Sequence, residues 1–430
     1  MFQTIVNAFK IKEVRNKILI TILLLFVYRL GCFIPVPGVQ VFNGLEDYTF
    51  LQIMSAVSGG ALTYGTFFAM GIGPYINASI IIQLLSVGIP ALERLSKQGE
   101  EGKRKINTIT RIVTLVLAVA QAIGILVAFR DSVQTVNLFG ETGFLKFLSY
   151  AFLVVVYTAG AALTMWIGER ITDYGVSNGI SLLIFAGILS TAGTTFIGIF
   201  AQMFSGDANT SLTAIWSFVG FVVAAIVIFG SIVTVNDAER KIPVQYAKQV
   251  KGRKMYGGQS THIPIKVNSS GVMPLIFSFS ILSFPDLIMN LFGFQAGGWY
   301  KQVFGTGGWA YMVILCLLIL FFSYFYNQIQ FNPDDISKSI QGNGGFIPGT
   351  RPGKPTADYL KRVSNRITLF GAIFLALVAL VPSLIFNAIN VSLVNVFSAT
   401  GLLIIVSVAL EFEQALQSQI MMKNYKGFLK

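Results

Sequence analysis

This sequence contains little charge, a single histidine and only two cysteines. Charged residues make up 12% of its 430 residues, about half of the ~25% that is usual in soluble proteins. Hydrophobic residues make up 54%, and the formal net charge is +12. The shortage of charge excludes an ordinary soluble domain and predicts a membrane protein with many spanning segments.

The residues that usually carry chemistry are also missing or isolated. Cys32 and Cys316 lie in apolar stretches without metal or disulfide spacing, and His262 has no partner in sequence. GTRPGKPT lacks the phosphate-loop spacing, since Pro355 follows the lysine. Apart from Asp286, ionisable residues within the apolar segments lie near the segment ends, unlike those of ion-coupled transporters. The sequence therefore predicts no catalytic residue, no metal site and no cofactor.

Apolar segments long enough to cross a bilayer recur along the whole chain. They predict an all-α polytopic membrane protein with ten transmembrane helices. The ten segments are Ile18–Ile34, Thr66–Val87, Thr108–Phe129, Phe144–Ile167, Gly179–Phe200, Thr213–Val235, Ser270–Phe292, Trp309–Gln328, Ile367–Asn387 and Val394–Glu411.

The basic residues predict that both termini are cytosolic. With ten spans and the N-terminus inside, all but four of the 31 Lys and Arg residues fall on the cytosolic side. Residues 1–17 lack a cleavage site and are interpreted as a retained amphipathic helix. The long cytosolic loops 236–268 and 332–366 contain β-branched, aromatic and turn-forming residues, which predicts ordered, basic loops suited to docking a large acidic partner.

The stretch from Tyr48 to Val87 combines two parts that do not form one regular helix. A short apolar helix over 48–61, ending at Gly59-Gly60, precedes a span interrupted by Gly71, Gly73 and Pro74. Such a short helix must be buried in protein or lie in a water-filled cavity. Two interpretations remain open: a re-entrant elbow that only packs, or a movable stopper at a pore mouth.

Isoleucines recur at helical spacing in two of the spans. Ile72 and Ile76 are one turn apart, and so are Ile180 and Ile184. Facing isoleucines can form a hydrophobic constriction that closes a pore by dewetting. Isoleucine in a membrane helix more often faces lipid or a neighbouring helix, so the spacing alone does not decide between these roles.

Several ordered motifs resemble the SecY family, the pore-forming subunits of protein-conducting channels (SecY/Sec61-alpha). The resemblance runs from the first span to the tail without a large insertion or deletion. The motifs that carry it are RLGCFIPVPG (29–38), SGGAL (58–62), FAMGIGPYINASIIIQLL (68–85), KQGEEGKRKI (97–106), WIGERITDYGVSNGIS (166–181), QSTHIPIKVNSSGVMP (259–274), FNPDDIS (331–337) and GGFIPGTRPGKPT (344–356).

The resemblance implies roles for four sets of residues. A pore ring is implied at Ile72, Ile76, Ile180, Ile184, Ile276 and Ile404. A plug is implied over about 49–64, with Phe50, Leu51, Ile53, Met54, Ser55, Val57, Ser58, Gly59 and Gly60. A lateral gate between spans two and seven is implied at Asn77, Ser79, Gln83, Asn178, Ser278, Ser280 and Phe284. Docking positions for a motor or ribosome are implied at Arg240, Lys241, Lys248, Arg253 and Arg351.

The same resemblance implies two pseudo-symmetric five-helix halves around an hourglass pore. The halves comprise residues 18–200 and 201–412, between the N-terminal segment 1–17 and a cytosolic tail 413–430. The implied function is a passive channel in the bacterial plasma (inner) membrane for unfolded secretory polypeptides, which also releases membrane helices sideways into the lipid bilayer. The implied partners are SecE, SecG, the SecA ATPase, the ribosome, and signal sequences with their nascent polypeptides. The alternatives are a secondary transporter for a small solute and an insertase scaffold without a through-pore.

Overall fold

The computed structural model describes residues 2–42, 49–129, 133, 138–139, 143–203, 208–246, 249–251, 254–256, 260–268, 271–292, 300, 303, 308–389 and 399–427. The helices of the first half are α1 (Phe2–Lys10), α2 (Lys12–Gly31), α3 (Thr49–Ser58), α4 (Gly73–Gly88), α5 (Pro90–Lys97), α6 (Gly99–Ala128), α7 (Gly143–Tyr174) and α8 (Gly179–Met203). The second half contains α9 (Ala208–Asp237), α10 (Met273–Phe292), α11 (Trp309–Gln330), α12 (Pro333–Gly342), α13 (Lys354–Ile389) and α14 (Ala399–Gly427). Its strands are β1 (Glu239–Tyr246), β2 (Gln249–Lys251), β3 (Lys254–Tyr256), β4 (Ser260–Lys266) and β5 (Gly345–Phe346).

Each of the ten predicted segments overlaps one of these helices. The helices are α2, α4, α6, α7, α8, α9, α10, α11, α13 and α14. Within the described residues, four helices are long and apolar enough to cross a membrane, or five if the bent pair Gly73–Gly88 and Pro90–Ser96 counts as one span. The helical membrane architecture is confirmed at this level, whereas ten complete spans remain a prediction.

Several helices extend beyond the predicted segments into polar sequence. The predicted third span starts at Thr108, but α6 starts at Gly99. Its first turns carry an ion pair of 3.0 Å between Lys105 and Glu101, in which the Lys105 ammonium lowers the pKa of the Glu101 carboxyl group. Charged helical turns of this kind project from the membrane, because lipid would not solvate them.

The helix at the second predicted span is shorter than the predicted segment. Residues 59–72 form turns rather than a helix, and α4 begins only at Gly73, with Pro74 in its first turn. Proline is accepted there because the first amide groups of a helix have no intrahelical partner. The expectation of a helix from Thr66 was therefore wrong, while the short preceding helix is confirmed as α3.

The two long loops that the sequence predicts to be cytosolic add β-structure to a fold expected to be all-α. Strand β1 of the first loop pairs with β4 of the same loop and with β5 of the second loop, giving the order β4-β1-β5. Ile242 and Val244 of β1 pack with Ile265, Ile340 and Leu360. We call this sheet, with α12 and the start of α13, the cytosolic unit; it joins two loops that the sequence treated separately.

The two ends of the chain also pack together. Thr4 of α1 donates a hydrogen bond to Glu413 of α14 at 3.4 Å, and Leu416 packs in a cluster with Ala8 and Val14. Of the predicted N-terminal helix over residues 1–17, Phe2–Lys10 form α1 and the residues from Lys12 belong to α2; α1 lies against α14. The largest hydrophobic cluster draws on α2, α4, α7, α8, α9, α10, α11, α13 and α14, and it contains the candidate pore residues.

Candidate translocation pore

The six candidate ring residues share one hydrophobic cluster. Ile72, Ile184 and Ile404 are buried members of it. The other three, Ile76, Ile180 and Ile276, are partly buried and pack against it. The isoleucines come from four separate segments, at the starts of α4, α8 and α10 and within α14. The structure therefore brings together residues that are up to 332 positions apart, counted from 72 to 404.

A small open cavity adjoins this cluster. Its walls are mainly aliphatic, with one hydroxyl and one carboxylate group at the polar side. The lining residues are Ser181, Ile184, Val272, Met273, Ile276, Ile404, Val408 and Glu411. Three of the six ring isoleucines thus line this small cavity, and apolar walls of this kind disfavour a continuous column of water.

Two glycines allow the helices behind the ring to approach closely. A Cβ atom on Gly168 of α7 would lie only 3.2 Å from Leu183 Cδ1 of α8, and at an ordinary contact distance of 3.6 Å from Ile72 Cδ1 and Ile180 Cγ1. A Cβ atom on Gly179 of α8 would lie 2.0 Å from the Gly168 carbonyl oxygen, so only glycine fits there. This contact between α7 and α8 fixes Ile180 beside Ile72.

The candidate plug helix α3 packs against α8 and α10. Leu51, Met54 and Ser58 are buried, whereas Ser55 and Val57 are partly buried. The side chains of Phe50 and Ile53 lie outside the described residues. The helix ends where Gly59 and Gly60 take φ angles of +70° and +84°, a left-handed conformation that favours glycine.

Two side chains from other helices bind the C-terminal end of α3. Arg29 of α2 donates hydrogen bonds from Nη1 and Nη2 to the Gly59 carbonyl oxygen, at 3.3 and 3.2 Å. Thr191 of α8 donates its hydroxyl group to the Ala56 carbonyl oxygen at 3.2 Å. No sequence pattern predicted either contact, although Arg29 stands out as a charged residue near the end of the first predicted span.

The candidate gate helices α4 and α10 contact each other, and both also contact side chains of α11. The Gln83 side-chain oxygen on α4 accepts a hydrogen bond from the Tyr326 hydroxyl group on α11. Beside it, the buried Ile80 of α4 packs in a cluster with Phe277 of α10 and Phe322 and Tyr326 of α11. The Phe277 and Tyr326 rings are 5.0 Å apart. The sequence identified Gln83, but not its partner on the eighth predicted span.

The other candidate gate residues differ in their surroundings. Asn77 is buried and Ser79 partly buried on α4, and Ser280 is partly buried on α10. Asn178 and Ser278 bond locally: Asn178 Oδ1 accepts from the Ile180 amide at 3.0 Å, and Ser278 Oγ donates to the Pro274 carbonyl oxygen at 2.7 Å. The Phe284 side chain lies outside the described residues. Asn178 thus caps the start of α8, as its position before Gly179 would allow.

The candidate docking residues lie on the cytosolic unit. Arg240 is exposed on β1, and Lys241 beside it forms an exposed ion pair of 3.2 Å with Glu239. Arg351 is exposed in the turn between β5 and α13, where its carbonyl oxygen accepts a 2.8 Å hydrogen bond from Thr356. Lys248 and Arg253 lie outside the described residues.

Comparison with known proteins gives one consistent result. A family model described as SecY matches residues 66–413. The chain is 40% identical to the protein translocase subunits SecY of Streptomyces scabiei and Bacillus licheniformis, over 100% of this chain and of each relative. A solved structure described as that of a protein conducting channel is similar with a TM-score of 0.67 and 20% identity, over 94% of this chain and 92% of the other. A second solved structure, whose description concerns the plug domain of the SecY protein, is similar with a TM-score of 0.68 and 19% identity, over 94% of this chain and 92% of the other.

Proposed function

This chain belongs to the SecY family, and on that basis we propose that it is the central channel subunit of a protein translocase, conducting unfolded secretory polypeptides across the membrane. It is a membrane protein and a passive channel, not an enzyme. The observation that carries the proposal is the convergence of six isoleucines from distant segments on one cluster, next to an open cavity and the short helix α3. Ile72, Ile76, Ile180, Ile184, Ile276 and Ile404 form the constriction, and residues 49–64 form the plug.

The architecture that goes with this function has ten spans in two pseudo-symmetric halves, 18–200 and 201–412. Residues 1–17 and 413–430 are cytosolic, and the membrane is the bacterial plasma (inner) membrane. The overlap of ten apolar segments with ten helices and the distribution of Lys and Arg support this arrangement.

The lateral gate lies between α4 and α10. Membrane-protein helices and signal sequences leave the pore there into lipid, which requires α4 to separate from α10 and α11. The contacts of Gln83 and Ile80 with the neighbouring helices support a seam that is held by few polar bonds and by side-chain packing. Weak, reversible contacts suit a seam that must open in each cycle.

Movement of polypeptide through a passive channel requires energy from a partner. The SecA ATPase or a translating ribosome supplies it by docking on the cytosolic unit, and SecE and SecG complete the membrane complex. The exposed Arg240 and Arg351, carried by two loops of one packed unit, support a single docking surface.

Reconstitution tests the function directly. The purified chain with its SecE partner, in lipid vesicles, should protect a signal-bearing precursor from added protease when SecA and ATP are present. Omission of ATP or of the signal sequence should abolish protection. A transporter for small solutes would not protect the precursor, so exposure of the precursor in vesicles that hold the intact complex would refute the proposal.

Charge reversal at the docking surface should slow SecA-driven export. Arg351→Glu replaces an exposed cation in a turn, so we expect at least a tenfold loss of export rate, about 1.4 kcal/mol, with unchanged membrane assembly. Arg240→Glu should have a smaller effect. The measurement is precursor export at matched protein levels.

Arg94→Glu is the matched control, because Arg94 is equally exposed on α5 but lies outside the cytosolic unit. Arg351→Lys retains the charge and should restore most of the export rate. Equal export by Arg351→Glu and the unsubstituted protein would remove Arg351 from the docking surface.

A further inference from the structure

The end of helix α3 is held by an unusual pair of contacts. The last carbonyl groups of a helix carry the negative end of its dipole, and that of Ala56 also accepts a hydrogen bond from the Gly59 amide at 3.2 Å. The Arg29 guanidinium group binds the Gly59 carbonyl oxygen with two nitrogens, at 3.3 and 3.2 Å. It also lies 4.9 Å from the centre of the Phe33 ring, which orients the side chain.

Helix α8 holds the same end of α3 from another side. The Thr191 hydroxyl group lies between two carbonyl acceptors, that of Ala56 on α3 at 3.2 Å and that of Gly187 in its own helix at 3.3 Å. One turn earlier, a Cβ atom on Gly187 would lie 1.7 Å from the Val57 carbonyl oxygen. The backbones of α3 and α8 are therefore in direct contact, and glycine at 187 is what allows Thr191 to reach α3.

Glycine is required on the α3 side as well. Gly59 has a φ angle of +70°, and a Cβ atom there would lie 2.3 Å from Arg29 Nη1 and 3.0 Å from the Gly187 carbonyl oxygen. The guanidinium group thus fits into a space that a larger residue would occupy. Three segments of the chain, in α2, α3 and α8, meet at this one point.

We propose that Arg29 and Thr191 are positioning residues that latch the plug in its closed position. The latch consists of the hydrogen bonds from Arg29 to Gly59 and from Thr191 to Ala56. The plug cannot leave the pore until these bonds break, so their strength sets how often the resting channel opens. This inference rests on the proposed role of residues 49–64 as a plug.

The test is the ion conductance of resting channels in planar bilayers. Arg29→Met keeps an unbranched apolar stem but removes both charged hydrogen bonds, and it should raise open probability at least about tenfold. Thr191→Val removes one hydroxyl hydrogen bond and should raise the open probability about threefold. Arg29→Lys keeps a cation that can bind the carbonyl oxygen and should leak less than Arg29→Met.

Two matched controls separate the latch from general damage. Thr194→Val removes a hydroxyl group from the next turn of α8, where it bonds only within the helix to the Thr191 carbonyl oxygen. Lys146→Gln removes a cation from the outer end of α7. Both controls should remain as tight as the unsubstituted channel. If the Arg29→Met protein does not accumulate in the membrane, the latch is tested by comparing the open probability of Thr191→Val with that of Thr194→Val.

Deletion of residues 50–58 distinguishes failure of the latch from failure of the plug. If the deletion leaks while the Arg29 and Thr191 variants stay tight, the latch is refuted and the plug stands. If the deletion is also tight, the plug assignment fails and the latch fails with it. Leakage in the control variants equal to that of the latch variants would also refute the proposal.

Discussion

Replacing Ile76 and Ile184 together by alanine should make the resting channel leak ions. Both side chains belong to or pack against the central cluster, and Ile184 borders the open cavity. Truncation widens an apolar constriction, which allows a continuous column of water and ions to form. Alanine retains the helix, but loss of the buried Ile184 side chain costs about 2–5 kcal/mol of stability, so conductance is compared at matched protein levels in planar bilayers.

Deletion of residues 50–58 should also raise conductance, and the combined variant should leak most, because the ring and the plug act as two barriers in series. Ile112→Ala is the matched control, since Ile112 is 59% exposed on α6 and faces away from the cluster. Bilayers as tight as those of the unsubstituted channel, for the double alanine variant and the deletion alike, would show that the pore lies elsewhere.

A disulfide between α4 and α10 should stop export completely. Asn77→Cys with Phe284→Cys, in a chain with Cys32→Ala and Cys316→Ala, should cross-link on oxidation, since the resemblance to the SecY family implies that these positions face each other. The two helices are in contact, and Asn77 is buried on α4. A disulfide requires Cα atoms within about 7 Å, so it holds the seam shut, and export measured in vesicles should fall to background.

Reduction should restore export, because no functional group has been removed. A long flexible bis-maleimide across the same cysteines should inhibit less than the disulfide, since it lets the helices separate. Each single-cysteine variant is the control for oxidation by itself. Efficient cross-linking with undiminished export would show that α4 and α10 do not separate during translocation.

The sequence predicted the helices well because lipid leaves the backbone few alternatives. An apolar segment that crosses a bilayer must satisfy its backbone hydrogen bonds internally, so the segments from Ile18 or Gly179 onward had to be helical. The glycines and Pro74 marked the break before α4 correctly, but they could not tell a kinked helix from a turn followed by a new helix. The alternation of Ile242 and Val244 on β1 is likewise a local signal.

The contacts that assemble the candidate site could not be predicted from local sequence patterns. Arg29 and Gly59 are 30 residues apart, and Thr191 and Ala56 are 135 residues apart. The pairing of β5 with β1 involves only two residues of β5, Gly345 and Phe346. Such long-range contacts depend on how helices pack, and no local pattern encodes them.

Asn178 has a local role that a sequence pattern can predict, beside the gate role that stays a prediction. A short polar side chain before the first turn of a helix is a cap signal, and its oxygen indeed binds the Ile180 amide at 3.0 Å. The six isoleucines could be recognised as one set only through the resemblance, since isoleucine in a membrane helix more often faces lipid or a neighbouring helix.

Cross-linking of a stalled precursor to the ring tests the central claim most directly. A precursor with a tightly folded C-terminal domain stops partway through the channel, and a cysteine in its stalled segment probes what surrounds it. Single cysteines placed by Ile72→Cys, Ile184→Cys and Ile404→Cys should form disulfides with this segment. Ile112→Cys and Ile226→Cys, at positions 59% and 66% exposed, should not. Cross-links from the exposed positions as strong as those from the ring, or none from the ring, would contradict a pore through these isoleucines.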